Sequence, residues 1–412
     1  MNIKAQKGTK DILPEEYFLR NKVEKAAAEV FESAGVRRIE TPIFEATELF
    51  RRGVGDGTDI VTKEMYTFEK SERSLTLRPE NTAGVVRAFL EHNLQREIQP
   101  VKLWYYGPMF RYVRPQAGRQ RQCTQIGTEM FGSKDASLDA ECISLAVEFL
   151  AKIGLSELFV ELNSIGCADC RTKFKTKLKD LLAPVLSELC ADCQNRYKIN
   201  PLRLLDCKNE NCIKLFEENK ILERLGKIEL CEECSEHYEK LKSYLNALGV
   251  KYVENPLLVR GLDYYTGTVF EIKSEALGAQ SAVCGGGRYD NLTMSLGGVN
   301  SPAVGWAVGV ERICSLIEKQ QIPKLNYFVV SQNPGEALKL AKEIRLNSKK
   351  SAITDYSARK FAKQLEKASK TSNFAVILGE DELANGTVSV KDLEKGEQTT
   401  VSRVDYLKNL LF

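Results

Sequence analysis

Arginine is the residue whose placement first points to chemistry. Arg111, Arg114, Arg119 and Arg121 fall close together with no acidic residue among them. Arg111 ends a strand-like run, and the others sit in a loop with Pro115 and Gly118. Arg260 precedes a glycine in LVRGLDYYTGTVFE, with Asp263, Tyr264 and Tyr265 after it, and Arg312 opens a helical pattern in GWAVGVERI. No G-x-x-x-x-G-K-[ST] occurs, and no G-x-G-x-x-G follows a strand and opens a helix. A phosphate-bearing ligand would therefore be held by arginine, whose planar fork bonds phosphate bidentately and whose charge is permanent. Charge pattern alone also fits a solvated basic hairpin, and a lone arginine usually makes a weak surface ion pair. CGGGRYDNL adds three consecutive glycines, which weaken a strand unless a ligand or another backbone must approach closely.

Cysteine forms a second pattern. Eight of the twelve cysteines fall between Cys167 and Cys234, mostly in C-x-x-C pairs. In a reducing compartment that spacing favours metal over disulfides. The eight thiols allow two Cys₄ zinc sites, one site with spare cysteines, or a reduced cluster without metal. The first-choice ligand set is Cys190, Cys193, Cys231 and Cys234, because each pair lies within or beside a helical pattern, and its role would be structural. His92 and His237 lie in polar helical surroundings and read as solvated.

These residues need elements to position them. At 412 residues, with 43% hydrophobic and 28% charged side chains, the chain predicts two or three globular domains. No apolar run approaches the roughly 20 residues of a membrane helix, and MNIKAQKGTKDILPEEYF has no apolar signal core. A cytoplasmic protein is expected. A net charge of +3 confines any nucleic-acid surface to a local patch. A helical pattern runs from Tyr17 to Glu32. SLTLRP, PVKLWYYGPMFRYV and QCTQIGTEMFG mix β-branched and aromatic residues as strands do. The expected class is α+β: an antiparallel-sheet domain over 1–320, interrupted by a helical, cysteine-rich insertion over 172–248, with a helix from about Ala307 to Gln320. IEKQQIPKLN reads as a linker. From Asn326 the strand-helix alternation of NYFVVS, GEALKLAKEIR, SAITDY, ARKFAKQLEKASK, FAVILG and GTVSVKDL predicts a small α/β domain over 326–412. Its stretch Lys339–Lys370 holds ten Lys or Arg against three Asp or Glu, a local surface suited to RNA phosphates or simply solvated helix faces.

Taken in order, these segments resemble the class II aminoacyl-tRNA synthetases, and within them the histidyl-tRNA synthetase family. TPIFEATELF is similar to the first class motif, GPMFRYVRPQAGRQRQCTQIGTEMFG to the second and GWAVGVERI to the third. GTKDILP, LRPENTAG, RGLDYYTGTVFE, GGGRYDNL and LGEDELANGTVSVKDL resemble the histidine branch, so the likeness spans nearly the whole chain. The resemblance implies ATP-dependent activation of L-histidine with Mg²⁺, transfer to histidine tRNA, a C-terminal anticodon-binding domain and a homodimer with Pro42 at its interface. It further implies that Glu80 and Thr82 hold the α-amino group with Gln125 assisting, that Asn81 also belongs to the histidine site, and that Glu129 with Tyr264 or Tyr265 binds the two imidazole nitrogens. Arg111 and Arg260 would flank the reacting carboxylate and the α-phosphate, Arg119 and Arg312 would serve ATP, and Arg114 and Gln116 would read the acceptor end. A site bonding both nitrogens rejects isosteres, because its buried polar groups would go unpaired.

The sequence departs from the family at four places. Val113 stands where a glutamate normally contacts adenine, Asn81 replaces a glycine, and Cys123-Thr124 replaces Phe-His. RLNSKKSAITDY lacks a customary glycine turn. The main competing reading is a histidine-binding regulatory paralogue without catalysis, which typically lacks the C-terminal domain. Another is a zinc-dependent RNA-binding protein on a relic core.

Overall fold

Alternation along PVKLWYYGPMF implies a strand with two different faces. In the computed structural model, which describes residues 3–116, 118–274, 282–318, 321–357 and 359–410, strands Val101–Phe110 and Gln122–Phe131 pair antiparallel along their length. Leu103 lies opposite Glu129, Tyr105 opposite Gly127, and Gly107 opposite Gln125. Directly opposed residues share a face, so one face carries Leu103, Tyr105, Gln125 and Glu129 while the other carries Trp104, Ile126 and Met130.

This hairpin anchors a sheet ordered Val101–Phe110, Gln122–Phe131, Ala303–Gly309, Ala282–Arg288, Thr266–Ser274 and Leu158–Ser164, antiparallel throughout. A short parallel strand closes each edge, Arg37–Arg38 and Tyr252–Glu254. Helices Pro14–Ser33, Ala136–Lys152 and Glu232–Ala247 pack on the Trp104 face. There Phe31 sits 5.7 Å from Trp104 and 5.6 Å from Trp306, tilted and edge-on as aromatic quadrupoles prefer. On the other face helix Thr82–Glu91 covers part of the sheet, packing Val85, Val86 and Phe89 with Leu103, Met109 and Phe131. A separate three-stranded sheet comprises Phe44–Ala46, Arg73–Leu77 and Tyr66–Lys70.

The helical segment expected over 172–248 begins earlier and divides in two. Helices Ala168–Leu182, Ala191–Ile199, Glu210–Glu218 and Ile221–Leu225 share their own core through Leu178, Leu182, Leu204, Ile221 and Leu225. Helix Glu232–Ala247 belongs instead to the sheet, because Tyr238, Leu241 and Leu245 recur at helical spacing and bury in the main core. Its His237 is not simply solvated: Nε2 lies 2.7 Å from Asp139, a buried carboxylate that also takes Arg288 and Thr268. The helix expected from Ala307 starts at Val310 and ends at Leu316. Ala307–Gly309 are strand, because they pair with Gly127, Ile126 and Gln125. The far end of that expectation, at 319–320, lies outside the described residues.

The chain divides into two units, Met1–Lys319 and Gln320–Phe412. The second holds a sheet ordered Ala352–Thr354, Leu325–Val330, Ser372–Ile377, Thr387–Asp392 and Gln398–Ser402. Its first three strands are parallel and its last two antiparallel. Helix Pro334–Ser348 packs Leu340 and Ile344 on one face, and helix Phe361–Thr371 packs Ala368 against Phe328 and Ala375 on the other. Where a glycine turn is customary, Lys349 takes the left-handed conformation at φ +55° and ends its helix. The strand Gln398–Ser402 was not foreseen: QTTVS is an exposed edge strand without apolar alternation. Among the described residues no helix is long and apolar enough to cross a membrane.

Candidate active site

The sheet face opposite the main core is cleared of bulk at four neighbouring positions. Gly127, Ala307 and Gly285 lie in register across three strands, and Gly305 lies beside Glu129. A Cβ at Gly305 would fall on the Glu129 carboxylate, one at Gly285 on the Arg260 guanidinium, one at Gly287 on the Tyr265 ring and one at Gly127 on the Tyr105 phenol. Of the glycines of CGGGRYDNL, Gly285 therefore makes room for Arg260, whereas a Cβ at Gly286 or Gly287 would first strike the Gly305 or Thr268 carbonyl of a neighbouring strand. The result is a cavity of about 230 Å³ that brings together Glu80, Thr82, Arg111, Gln125, Glu129, Arg260, Tyr264 and Tyr265, with Tyr105, Tyr289, Leu262 and Trp306 among its other walls.

Glu129 is its electrostatic centre. The carboxylate accepts from Thr82 Oγ1 at 2.7 Å, from Tyr105 at 3.5 Å and from the Tyr289 hydroxyl. Burial pushes its pKa up to about 8, and the Tyr289 and Thr82 hydrogen bonds only partly offset this. Tyr105 and Tyr289 had no assigned role in the sequence reading. Tyr105 was legible as an inward position of an alternating strand, whereas Tyr289 reaches Glu129 only through strand pairing. Glu80 is also buried and raised by desolvation, although its two oxygens accept the backbone N–H groups of Thr82 and Ala83 at 2.8 and 2.9 Å. It thereby caps helix Thr82–Glu91 and fixes its carboxyl at the cavity wall. Gln125 Oε1 and Arg260 Nε are buried in the cavity lining without a partner among the described residues, as expected of groups that await a polar ligand.

The arginines are held by backbone and carboxylate. Arg111 donates Nε to the Pro79 carbonyl at 2.7 Å, and Arg260 pairs with Glu271 on the neighbouring strand. Arg312 donates Nε to the Ala282 carbonyl at 2.7 Å and does not line the cavity. Arg119 is half exposed and meets Glu64 at 3.4 Å. Arg114 and Gln116 are exposed in the tight loop that Gln116 and Arg119 close, and Gly118 of that loop lies beside Arg312. Asn81 also falls outside the cavity lining. Its Oδ1 accepts from Thr41 at 2.7 Å, and its φ of −115° makes the lost glycine unnecessary.

A histidyl-tRNA synthetase family model matches residues 8–313, and an anticodon-binding domain model matches residues 327–411. A histidine–tRNA ligase of Halothermothrix orenii is 45% identical, covering 100% of this chain and 99% of the relative. One from Moorella thermoacetica is 48% identical, covering 98% and 97%. This chain belongs to the histidyl-tRNA synthetase family. The crystal structure of apo histidyl-tRNA synthetase from S. aureus matches over 100% of both chains, at 34% identity and a TM-score of 0.82.

Within this family the departures at 113 and 124 have local structural accounts. Val113 is buried, donates its N–H to the Arg111 carbonyl at 2.8 Å and accepts Arg121 Nε at 3.2 Å. Its side chain carries no hydrogen-bond acceptor. Thr124 joins a buried network: its N–H bonds both Glu311 oxygens at 2.9 Å, and its hydroxyl accepts from Arg20, which also pairs with Glu311 at 3.0 Å.

The cysteine expectation needs correction. Cys190 and Cys193 do not meet Cys231 and Cys234. They converge with Cys207 and Cys212, while Cys231 and Cys234 converge with Cys167 and Cys170. The physical reason is the division of the insertion: Cys190, Cys193, Cys207 and Cys212 fold round its small core, whereas Cys231 begins the helix that returns to the main sheet.

Proposed function

We propose that this chain is a histidine–tRNA ligase, which condenses L-histidine with ATP to histidyl-adenylate and pyrophosphate and then passes the histidyl group to the 3′ end of histidine tRNA, releasing AMP. The observation that carries the reading is the cavity itself, where a buried carboxyl ringed by hydroxyls lies with Glu80, Arg111 and Arg260. The full-length relatives named as histidine–tRNA ligases and the anticodon-binding match in the second unit favour the ligase over a regulatory paralogue.

In this reading Glu129 takes one imidazole nitrogen, with a hydroxyl of Tyr264 or Tyr265 at the other, while Glu80, Thr82 and the unpartnered Gln125 oxygen receive the ammonium. A carboxylate oxygen of histidine attacks the α-phosphorus in line. A new P–O bond forms as the bond to the β-phosphate oxygen breaks, and pyrophosphate leaves with the magnesium that ATP brought as its substrate complex. The attacking carboxylate is ionised at neutral pH, so this step needs no general base. The added negative charge of the transition state falls between Arg111 and Arg260, whose tethers to Pro79 and Glu271 spare them reorganisation. Arg312 and Arg119 serve the triphosphate tail, the exposed Arg114 and Gln116 serve the acceptor end, and the basic helices of the second unit serve the anticodon stem. A homodimer is supported by Ile43 and Phe44, 44% and 54% exposed beside Pro42. A cytoplasmic location follows from the reaction.

Histidine-dependent ATP–pyrophosphate exchange, run beside the other amino acids, tests the assignment. Exchange with histidine alone is expected. No exchange from folded protein that still binds histidine would overturn it in favour of a regulatory binder.

A further inference from the structure

Eight thiols meet as two tetrads. The Sγ atoms of Cys167, Cys170, Cys231 and Cys234 all lie within 4.8 Å of one another, and so do those of Cys190, Cys193, Cys207 and Cys212. Tetrahedral coordination at about 2.3 Å per Zn–S bond sets sulfurs roughly 3.8 Å apart, and Cys167 and Cys170 stand at 3.6 Å. A disulfide needs about 2.05 Å, and all twelve cysteines are unbridged.

The backbone round each tetrad is arranged for thiolates. Cys167, Cys190 and Cys231 each occupy the N-cap of a helix, with the second cysteine of the C-x-x-C in its first turn, and Cys212 lies in the first turn of a fourth helix. Helix N-termini favour negative charge. Backbone N–H groups also point at sulfur: Cys231 N–H at Cys170 Sγ and Cys190 N–H at Cys212 Sγ, both at 3.2 Å. Gly166 turns at φ +64°, and a Cβ there would strike Cys170, so the chain passes hard against the first tetrad. Ordinary apolar packing gives no reason for sulfurs from separate segments to converge twice in this way.

We propose that the insertion binds two structural Zn²⁺ ions, one in each tetrad, and that they hold the insertion against the histidine cavity. The first tetrad ties the residues just after strand Leu158–Ser164 to the start of helix Glu232–Ala247, closing the base of the insertion. Arg171, next to Cys170, donates to the Tyr265 carbonyl. The second tetrad closes the loop that carries Arg196, Asn200 and Arg203. Arg196 and Arg203 reach Asp59 at 3.1 and 3.0 Å, beside the cavity residue Ile60, and Asn200 reaches Asp263 at 2.7 Å, beside Tyr264. The first ion thus supports one anchor of the cavity wall and the second supports two.

Metal content is read independently of the enzymatic assignment. Full-length protein purified without chelator from zinc-supplemented cells is measured by plasma mass spectrometry, and the metal environment by X-ray absorption. Two zinc ions per chain, each with four sulfurs at about 2.3 Å, are expected. Cys190→Ser with Cys193→Ser removes one ion, Cys231→Ser with Cys234→Ser removes the other, and the four changes together remove both. Fewer than two zinc ions per wild-type chain, iron in their place, or nitrogen and oxygen ligands would overturn the proposal even if the variants fail to fold. So would loss of the same single ion from both double variants, the result expected had Cys190, Cys193, Cys231 and Cys234 formed one site.

Discussion

The histidine cavity and the cysteine-rich insertion solve one problem, fixed geometry, by different means. The cavity rests on long paired strands, where register sets each side chain opposite a known neighbour: Glu129 beside Gly305, and Glu271 beside Gly285 under Arg260. The insertion consists of short helices and 3₁₀ turns round a small core. So small a core supplies little stability by itself, and such units commonly rely on cross-links or metal. The comparison teaches that a sheet positions groups through backbone pairing already paid for by the fold, whereas the insertion must be cross-linked before Arg171 and Asn200 can serve as supports.

The sharpest break of the cavity side is Glu129→Ala. It leaves Tyr289 and Thr82 without their acceptor, and histidine-dependent exchange should fall on the order of 10⁴-fold in kcat/KM. A loss confined to about tenfold would show that Glu129 is a support and not the imidazole contact. Arg260→Lys keeps the charge but loses the planar fork. Its kcat should drop about 10²-fold with little change in the KM for histidine, measured by single-turnover adenylate formation.

Stripping metal attacks the other region. With the tetrads emptied, KM for histidine should rise about tenfold, the worth of roughly one orienting hydrogen bond, while circular dichroism of the main sheet holds. An unchanged KM would uncouple the insertion from the cavity.

The pH dependence of stability sharpens the cavity side further. Glu129 keeps its proton in the fold up to about 8, against a reference of 4.5. The raised pKa therefore stabilises the fold fully below about 4.5, and that contribution is lost as pH rises toward about 8. The melting temperature of Glu129→Gln should gain on the wild type across this window and then level off. A constant gap would mean that the carboxyl ionises in place. The smallest effect is expected at Val113→Glu, which supplies an acceptor where the resemblance to the family puts adenine and should lower the KM for ATP about threefold to tenfold.

Much of this molecule was legible because its signals are local. Alternation along VKLWYYGPMF and QCTQIGTEMF marked the central hairpin, and apolar spacing in GEALKLAKEIR marked a helix of the second unit. The ordered motifs around Glu80, Arg111, Arg260 and Arg312 led to the family. QTTVS, polar at an exposed edge, carried no such signal. Within the site, the sequence named Glu129 but not the groups that make room for it and close upon it. That Gly305 clears space for Glu129, and that Tyr105 and Tyr289 close upon it, depends on register between strands far apart in the chain.

The same boundary divides the cysteines. Residue type and C-x-x-C spacing were enough to mark eight thiols as candidate metal ligands. They left open which pairs share a site, because four pairs can combine in several ways and nothing local prefers one. Tertiary structure decided it by sending helix Glu232–Ala247 back to the main sheet, where Cys231 and Cys234 meet Cys167 and Cys170 at the base of the insertion. Chemistry is written in residue types and short spacings, whereas partnership is set by where packing carries distant segments.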